Sequence, residues 1–291
     1  MWGPSSRSWQ QVAAEHYEPG QLLSGGHRSG LRTFDDGGLR SYYYHLPAHV
    51  GADSPIMVTV HGISRNAAEH MTLMRGQADR LGAVLIAPLF DRQNFRGYQR
   101  LLCRDGHTRA DLALIAMLGD LSGRAGLTGG KIHLAGFSGG AQFAHRFALF
   151  HSDLVASCVC CAAGWYTHPD PSRAYPLGTA PGSGPAGLEP HPRANEVPIH
   201  VIVDRRDERV QPNLNMSAPV IAQQGIGRAT RARHFVKALR RARRGPGCAP
   251  VTLTLLEGFG HNFGKGVRRK GLDGLIAERF GLAASGEMRD A

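Results

Sequence analysis

Short, nearly unbroken apolar runs recur along the chain, and between them apolar residues return every three or four positions. The runs LRSYYYHLP (39–47), PIMVTVHG (55–62), AVLIAPLF (83–90), KIHLA (131–135), 154–163, PIHVIV (198–203) and VTLTLLEG (251–258) have the length and β-branched or aromatic content of strands. Helical spacing is found over 67–81, 109–121, 141–150 and 267–280, and in RATRARHFVKALRRARR (228–244). In that last stretch Ala232, Phe235, Val236, Leu239 and Ala242 share one face, and the arginines are expected to cover the solvated remainder.

Strands alternating with helices predict an α/β fold: a mostly parallel central sheet with helices on both faces. A single domain over 38–282 accommodates it, with an N-terminal extension at 1–37 and a tail at 283–291. The stretch 165–198 breaks the regularity. It is rich in Pro and Gly and has no period, and is expected to be a lid or pocket rim with Trp165 and Tyr166 at its base.

The net charge of +11 suggests a polyanion partner, but the charge is localised. Residues 209–256 hold eight arginines and Lys237 with no Asp or Glu. Arginine outnumbers lysine 30 to 4 over the whole chain, and no aromatic interleaving, zinc finger or RNA-recognition motif accompanies the basic stretch. Nucleic acid is therefore not the expected partner. Three of the five cysteines crowd into VASCVCCAAG, where Cys158 and Cys160 would share one strand face with Cys161 opposed; without a C-x-x-C or H-E-x-x-H companion, neither a metal site nor any other cofactor is expected. Reduced thiols and the lack of a signal-peptide apolar region predict a cytoplasmic protein, and no apolar stretch is long enough for a membrane span.

The chemistry centres on Gly136-Phe137-Ser138-Gly139-Gly140, a G-x-S-x-G match at a strand-to-helix junction. Such a turn is sharp, demands small neighbours and raises the serine hydroxyl for attack. A nucleophilic serine needs a base, and the base an orienting acid. In chain order Ser, Asp/Glu, His, the loop after 198–203 supplies Asp204 and Asp207, and the loop after 251–258 supplies His261.

These segments together resemble the α/β-hydrolase superfamily, in particular its poly(3-hydroxybutyrate) depolymerase and feruloyl esterase-like branch. HGISRNAAEHM (61–71), VLIAPLF and GFSGGAQFAHRFALFHSDLVASCVCCAAG carry the likeness, which extends over about 39–280. The branch's acid pattern, G-x-x-D-x-x-V-P, sets Asp204 at the glycine, Asp207 at the acid and Val210 at the valine, with Pro212 one residue late. The resemblance implies Ser138 as nucleophile, Asp207 as acid (Asp204 being its rival) and His261 as base. It implies an oxyanion hole from the backbone amides of Ile63 and Gly139, with His61 bracing that loop. Phe90, Phe137, Trp165 and Tyr166 are candidates for the substrate pocket.

The expected activity is hydrolysis of carboxylic esters, small or oligomeric, through an acyl-enzyme. The signal peptide, Ser/Thr-rich linker and polymer-binding domain of secreted depolymerases are not found, which favours a small or intracellular ester. An amidase, peptidase or thioesterase on the same residues is the enzymatic alternative. A non-catalytic binding protein using 209–256 is the alternative of another class. Oligomeric state is not legible.

Overall fold

The computed structural model describes residue 22 and residues 28–283. The rest of the expected N-terminal extension before residue 28, and the tail from 284 onward, lie outside the described residues.

Eight strands form one sheet: β1 (Ser29–Asp35), β2 (Leu39–His45), β3 (Ile56–Val60), β4 (Val84–Pro88), β5 (Ile132–Phe137), β6 (Val155–Cys161), β7 (Ile199–Asp204) and β8 (Val251–Leu256). Their order across the sheet is β1-β2-β4-β3-β5-β6-β7-β8, antiparallel at β1/β2 and β2/β4 and parallel from β4 to β8. The central strands β3 and β4 are buried at every position, as a strand covered on both faces must be.

Helices α1 (Ala67–Leu81), α2 (Ala110–Ala125), α3 (Gly139–Phe150), α4 (Ala218–Gln224), α5 (Arg228–Ala242), α6 (Phe263–Lys270) and α7 (Leu272–Phe280) connect the strands. From β3 the chain runs through α1 to β4 on one side, and from β5 through α3 to β6 on the other. Right-handed crossovers in opposite directions put α1 and α3 on opposite faces. The reversal between β3 and β5 is a topological switch point, the place beyond the carboxyl ends of the strands where open α/β sheets bind ligands. His61-Gly62-Ile63 leaves β3 at that point, and Ser138 leaves β5.

The structure differs from the sequence expectations in three elements. Ser29–Asp35 pairs along its whole length with β2; its half-exposed, polar-interrupted pattern hid an edge strand. The single helix expected near 267–280 is two, broken at Gly271, whose left-handed φ of 62° caps the first. In α5, Ala242 is exposed, whereas Arg228 and Arg231 are buried beside Ala232 and Phe235. The Sγ atoms of Cys158 and Cys160 lie 3.7 Å apart, so the two thiols share one strand face and turn toward each other.

Candidate active site

The turn after β5 is held by its neighbours. Ser138 adopts φ 55°, ψ −112°, a conformation costing a non-glycine residue on the order of 1–3 kcal/mol unless the surroundings over-determine it. They do so on both sides: Ser138 N donates to Cys161 O at 2.8 Å, and Gln142 N donates to Ser138 O at 3.1 Å. A Cβ on Gly136 would meet Gly140 O at 2.2 Å, and one on Gly140 would meet Val60 O at 2.0 Å. Only glycine lets α3 approach β3 and β5 this closely.

The structure brings Ser138, His261 and Asp207 together across 123 and 54 residues of sequence. Ser138 Oγ lies 2.9 Å from His261 Nε2, and His261 Nδ1 lies 3.0 Å from Asp207 Oδ2. A carboxylate is an acceptor, so Nδ1 carries the proton and Nε2 is free to accept from the serine hydroxyl. The Phe137 ring, 4.9 Å from the imidazole centre to centre, packs beside it.

Asp204 has another task. Its Oδ2 accepts from Phe259 N at 2.8 Å and Gly260 N at 2.7 Å, and its Oδ1 from Arg206 N at 2.8 Å. Burial alone would raise this carboxyl, but the amides of Arg206, Gly260, Phe259 and Gly258 outweigh it and hold the group below its usual value. Asp204 thus fixes the loop that carries His261, and does not face the imidazole.

The far side of Asp207 is occupied by a residue that sequence reasoning placed in solvent. Arg228, the first residue of α5, donates from one Nη to Asp207 Oδ1 at 3.1 Å and from the other to Gln211 Oε1 at 3.1 Å. The Arg228 and Asp207 side chains are only 2% and 3% exposed. Ala229 N also donates to Asp207 O at 3.1 Å. A signal existed: Arg228, Arg231/Ala232 and Phe235 follow the i, i+3/i+4, i+7 spacing of the buried face. Arg231 uses its own guanidinium on three carbonyls, Gly225 (2.9 Å), Gly164 (2.7 Å) and Asn215 (2.8 Å). Two of the basic residues in 209–256 are therefore spent inside the protein.

On the other side of the serine, the His61-Gly62-Ile63 turn lies against the start of α3. A Cβ built on Gly62 would lie 3.5 Å from Ser138 Cβ, and one on Gly139 would lie 3.4 Å from Ile63 N. Gly139 opens α3, so its N–H is among those with no intrahelical acceptor. His61 is fully buried; its Nε2 accepts from Phe90 N at 3.0 Å and its Nδ1 donates to Gly62 O at 2.7 Å. Burial lowers it to about 4, which keeps it neutral. Tyr98 Oη donates to His61 O at 2.7 Å, a second brace that the sequence did not reveal.

All four pocket candidates are buried: Phe137 and Trp165 keep 6% and 9% of their surface exposed, Phe90 and Tyr166 none. Phe90 is fully buried among Phe95, Tyr98 and Phe143. Tyr166 is fully buried and stacks on Phe235 at 4.2 Å. Trp165 lies 4.4 Å from the buried guanidinium of Arg146. The 165–198 segment is pinned to the body by Tyr175 Oη to Arg100 O at 2.6 Å and Arg146 Nε to Thr167 Oγ1 at 2.9 Å. No helix among the described residues is long and apolar enough to cross a membrane.

No protein-family model matches the chain. An uncharacterized hydrolase of Mycosarcoma maydis is 26% identical over 147 residues, 44% of this chain and 56% of that protein, so the match spans little more than half of that relative's length. Among solved structures, poly(aspartic acid) hydrolase-1 from a Sphingomonas species superposes with a TM-score of 0.73 at 21% identity, over 89% of this chain and 99% of the other. A poly(3-hydroxybutyrate) depolymerase from Bordetella parapertussis gives 0.69 at 22% identity, over 92% and 96%. A ferulic acid esterase gives 0.57 at 14% identity, over 88% and 98%. These likenesses establish that the chain has the α/β-hydrolase fold.

Proposed function

We propose that the protein is a serine hydrolase that cleaves carboxylic esters. Ser138 Oγ attacks the ester carbonyl as His261 Nε2 takes its proton. Asp207 keeps the imidazole in the tautomer that can accept that proton, and stabilises the imidazolium that results. The Ile63 and Gly139 amides receive the developing oxyanion; preorganised donors of this kind are worth on the order of 10²–10³ in rate each. The imidazolium then protonates the leaving alcohol, and water, activated by the same imidazole, releases the acid. The observation that carries this reading is the unbroken hydrogen-bond chain Ser138–His261–Asp207, with the serine on a strained elbow. We read 165–198 as the rim of the pocket, with Trp165 beside the acyl group.

The likeness to a poly(aspartic acid) hydrolase, named for an amide-linked polymer, favours amide cleavage as a second reading on the same residues. Intact mass after fluorophosphonate treatment tests the serine: one adduct on the wild type and none on Ser138→Ala is the expected result. An unlabelled, folded wild type would sink it. Paired ester and amide substrates of one acyl group then separate the two readings.

A further inference from the structure

Outside the serine, the imidazole and the carboxylate, the most unusual group is a buried cation touching the carboxylate from behind. Taking a guanidinium out of water is costly, and one ion pair offsets this only with good geometry and further hydrogen bonds. Arg228 spends its two Nη groups on Asp207 Oδ1 and Gln211 Oε1, while its buried Nε finds no partner among the described residues, and it starts the helix whose next amide, that of Ala229, binds Asp207 O.

We propose that Arg228 is a positioning residue that acts through Asp207: it fixes the carboxylate with Oδ2 toward His261 and tempers its charge, so that the imidazole stays an unprotonated base down to lower pH. The inference rests on the serine-hydrolase reading above. A lone buried carboxylate beside His261 would favour the imidazolium strongly and delay release of the proton as pH rises. A cation shared on the opposite oxygen weakens that pull without removing the hydrogen bond. The other charged groups around this pair are committed elsewhere: Arg231, the buried cation one turn along the helix, donates to the carbonyls of Gly225, Gly164 and Asn215 and reaches no carboxylate. Asp204 spends its oxygens on the amides of the histidine loop, and Tyr166 is fully buried, its hydroxyl pushed up chiefly by burial and kept neutral. Glu208, next to Asp207, is turned to Thr230 and Arg233.

The rate at which a fluorophosphonate labels Ser138 reports the unprotonated imidazole and needs no knowledge of the natural substrate. Measured from pH 4.5 to 9, the wild-type rate should rise through one acid limb to a plateau. In Arg228→Met the limb should move to higher pH by about one unit, a roughly tenfold loss at pH values on the limb beyond any change in plateau. Arg228→Lys, which keeps the charge and loses the fork, should restore the limb more fully than the plateau. Gln211→Glu sets a competing carboxylate against the same guanidinium without opening a cavity, and should shift the limb in the same direction as Arg228→Met. A limb that stays at the wild-type pH in Arg228→Met or, where that variant fails to fold, in Gln211→Glu overturns the inference, because loss of packing alone lowers the plateau. An unlabelled wild type overturns the serine-hydrolase reading itself, and the inference with it.

Discussion

Replacing Asp207 by asparagine keeps its shape and reverses its hydrogen-bond logic in a way the surroundings make unambiguous. The amide has one accepting and one donating end, and Arg228 can only donate. With Arg228 Nη 3.1 Å from the Oδ1 position, the carbonyl oxygen must face the guanidinium and the NH₂ must face His261 Nδ1, which lies 3.0 Å from the other end. Nδ1 becomes an acceptor, the ring proton moves to Nε2, and Nε2 then meets Ser138 Oγ at 2.9 Å as a donor rather than a base. Loss of the base by the wrong tautomer costs on the order of 10⁴ in kcat, or about 5.4 kcal/mol of barrier at about 1.36 kcal/mol per tenfold. The Arg228 contact also makes a second expectation. In the double variant Asp207→Asn/Arg228→Met the amide is free to turn its oxygen to Nδ1–H. Coupling between touching residues of about 0.5–3 kcal/mol then returns up to about a hundredfold of the lost rate. The assay is the labelling rate of Ser138 together with turnover of a chromogenic ester, with thermal melting to show that each variant is folded. A single variant within about tenfold of wild type would refute the tautomer argument. A double variant no faster than the single would refute the assignment of the amide's orientation to Arg228.

Two other predictions concern the frame. Gly140→Ala puts a Cβ 2.0 Å from Val60 O and 2.6 Å from His61 O, both backbone, so α3 or the end of β3 must move; a loss of about 3 kcal/mol or more in denaturant unfolding is expected, with a fall in labelling rate. Gly51→Ala, where nothing lies within 4 Å, is the control, and equal stability for the two variants would contradict the packing argument. Acid should destabilise the protein through His61, lowered to about 4 by burial, and His70, lowered to about 3 by burial and the neighbouring His61. The unfolded chain protonates near the ordinary 6.5 and the folded chain resists, so this stability is whole above that value and is lost as pH falls through the window down to about 4 and 3. The slope is about 1.4 kcal/mol per pH unit for each histidine. Denaturation midpoints at pH 7, 5.5 and 4.5 check it, and a flat series would show that the buried imidazoles are not held neutral.

The elements most legible in the sequence were those whose pattern has one physical solution. Val84–Pro88 and Ile56–Val60 are continuous apolar runs because both faces of the sheet are covered, and Ala67–Leu81 has the periodicity of a helix on one of them. The G-x-S-x-G stretch pointed to an elbow because three small residues there have a steric reason, which the 2.0 Å and 2.2 Å approaches at Gly140 and Gly136 express. Sequence failed where a residue's usual environment is the wrong guide. Arg228 and Arg231 are buried because specific acceptors meet them, and no composition rule contains those acceptors. Tyr98 carries no sequence signal because its partner is a backbone carbonyl, His61 O, which any residue could have supplied. Phe90 and Tyr166, both candidates for a pocket, are enclosed by aromatic neighbours.

The carboxylate of Asp204, which grips the amides of Phe259 and Gly260, bears on how any mutational survey of this protein must be interpreted. It ties the end of the strand that leads to Asp207 to the loop that carries His261, so the two are held as one piece relative to the elbow. Removing it would let His261 drift while Asp207 and Ser138 stay where they are. On the proposed roles, such a variant would lose as much activity as one without Asp207, and a scan by activity alone would credit Asp204 with the role proposed for its neighbour three residues on. Only the pH profile and the tautomer tell a lost acid from a lost hinge.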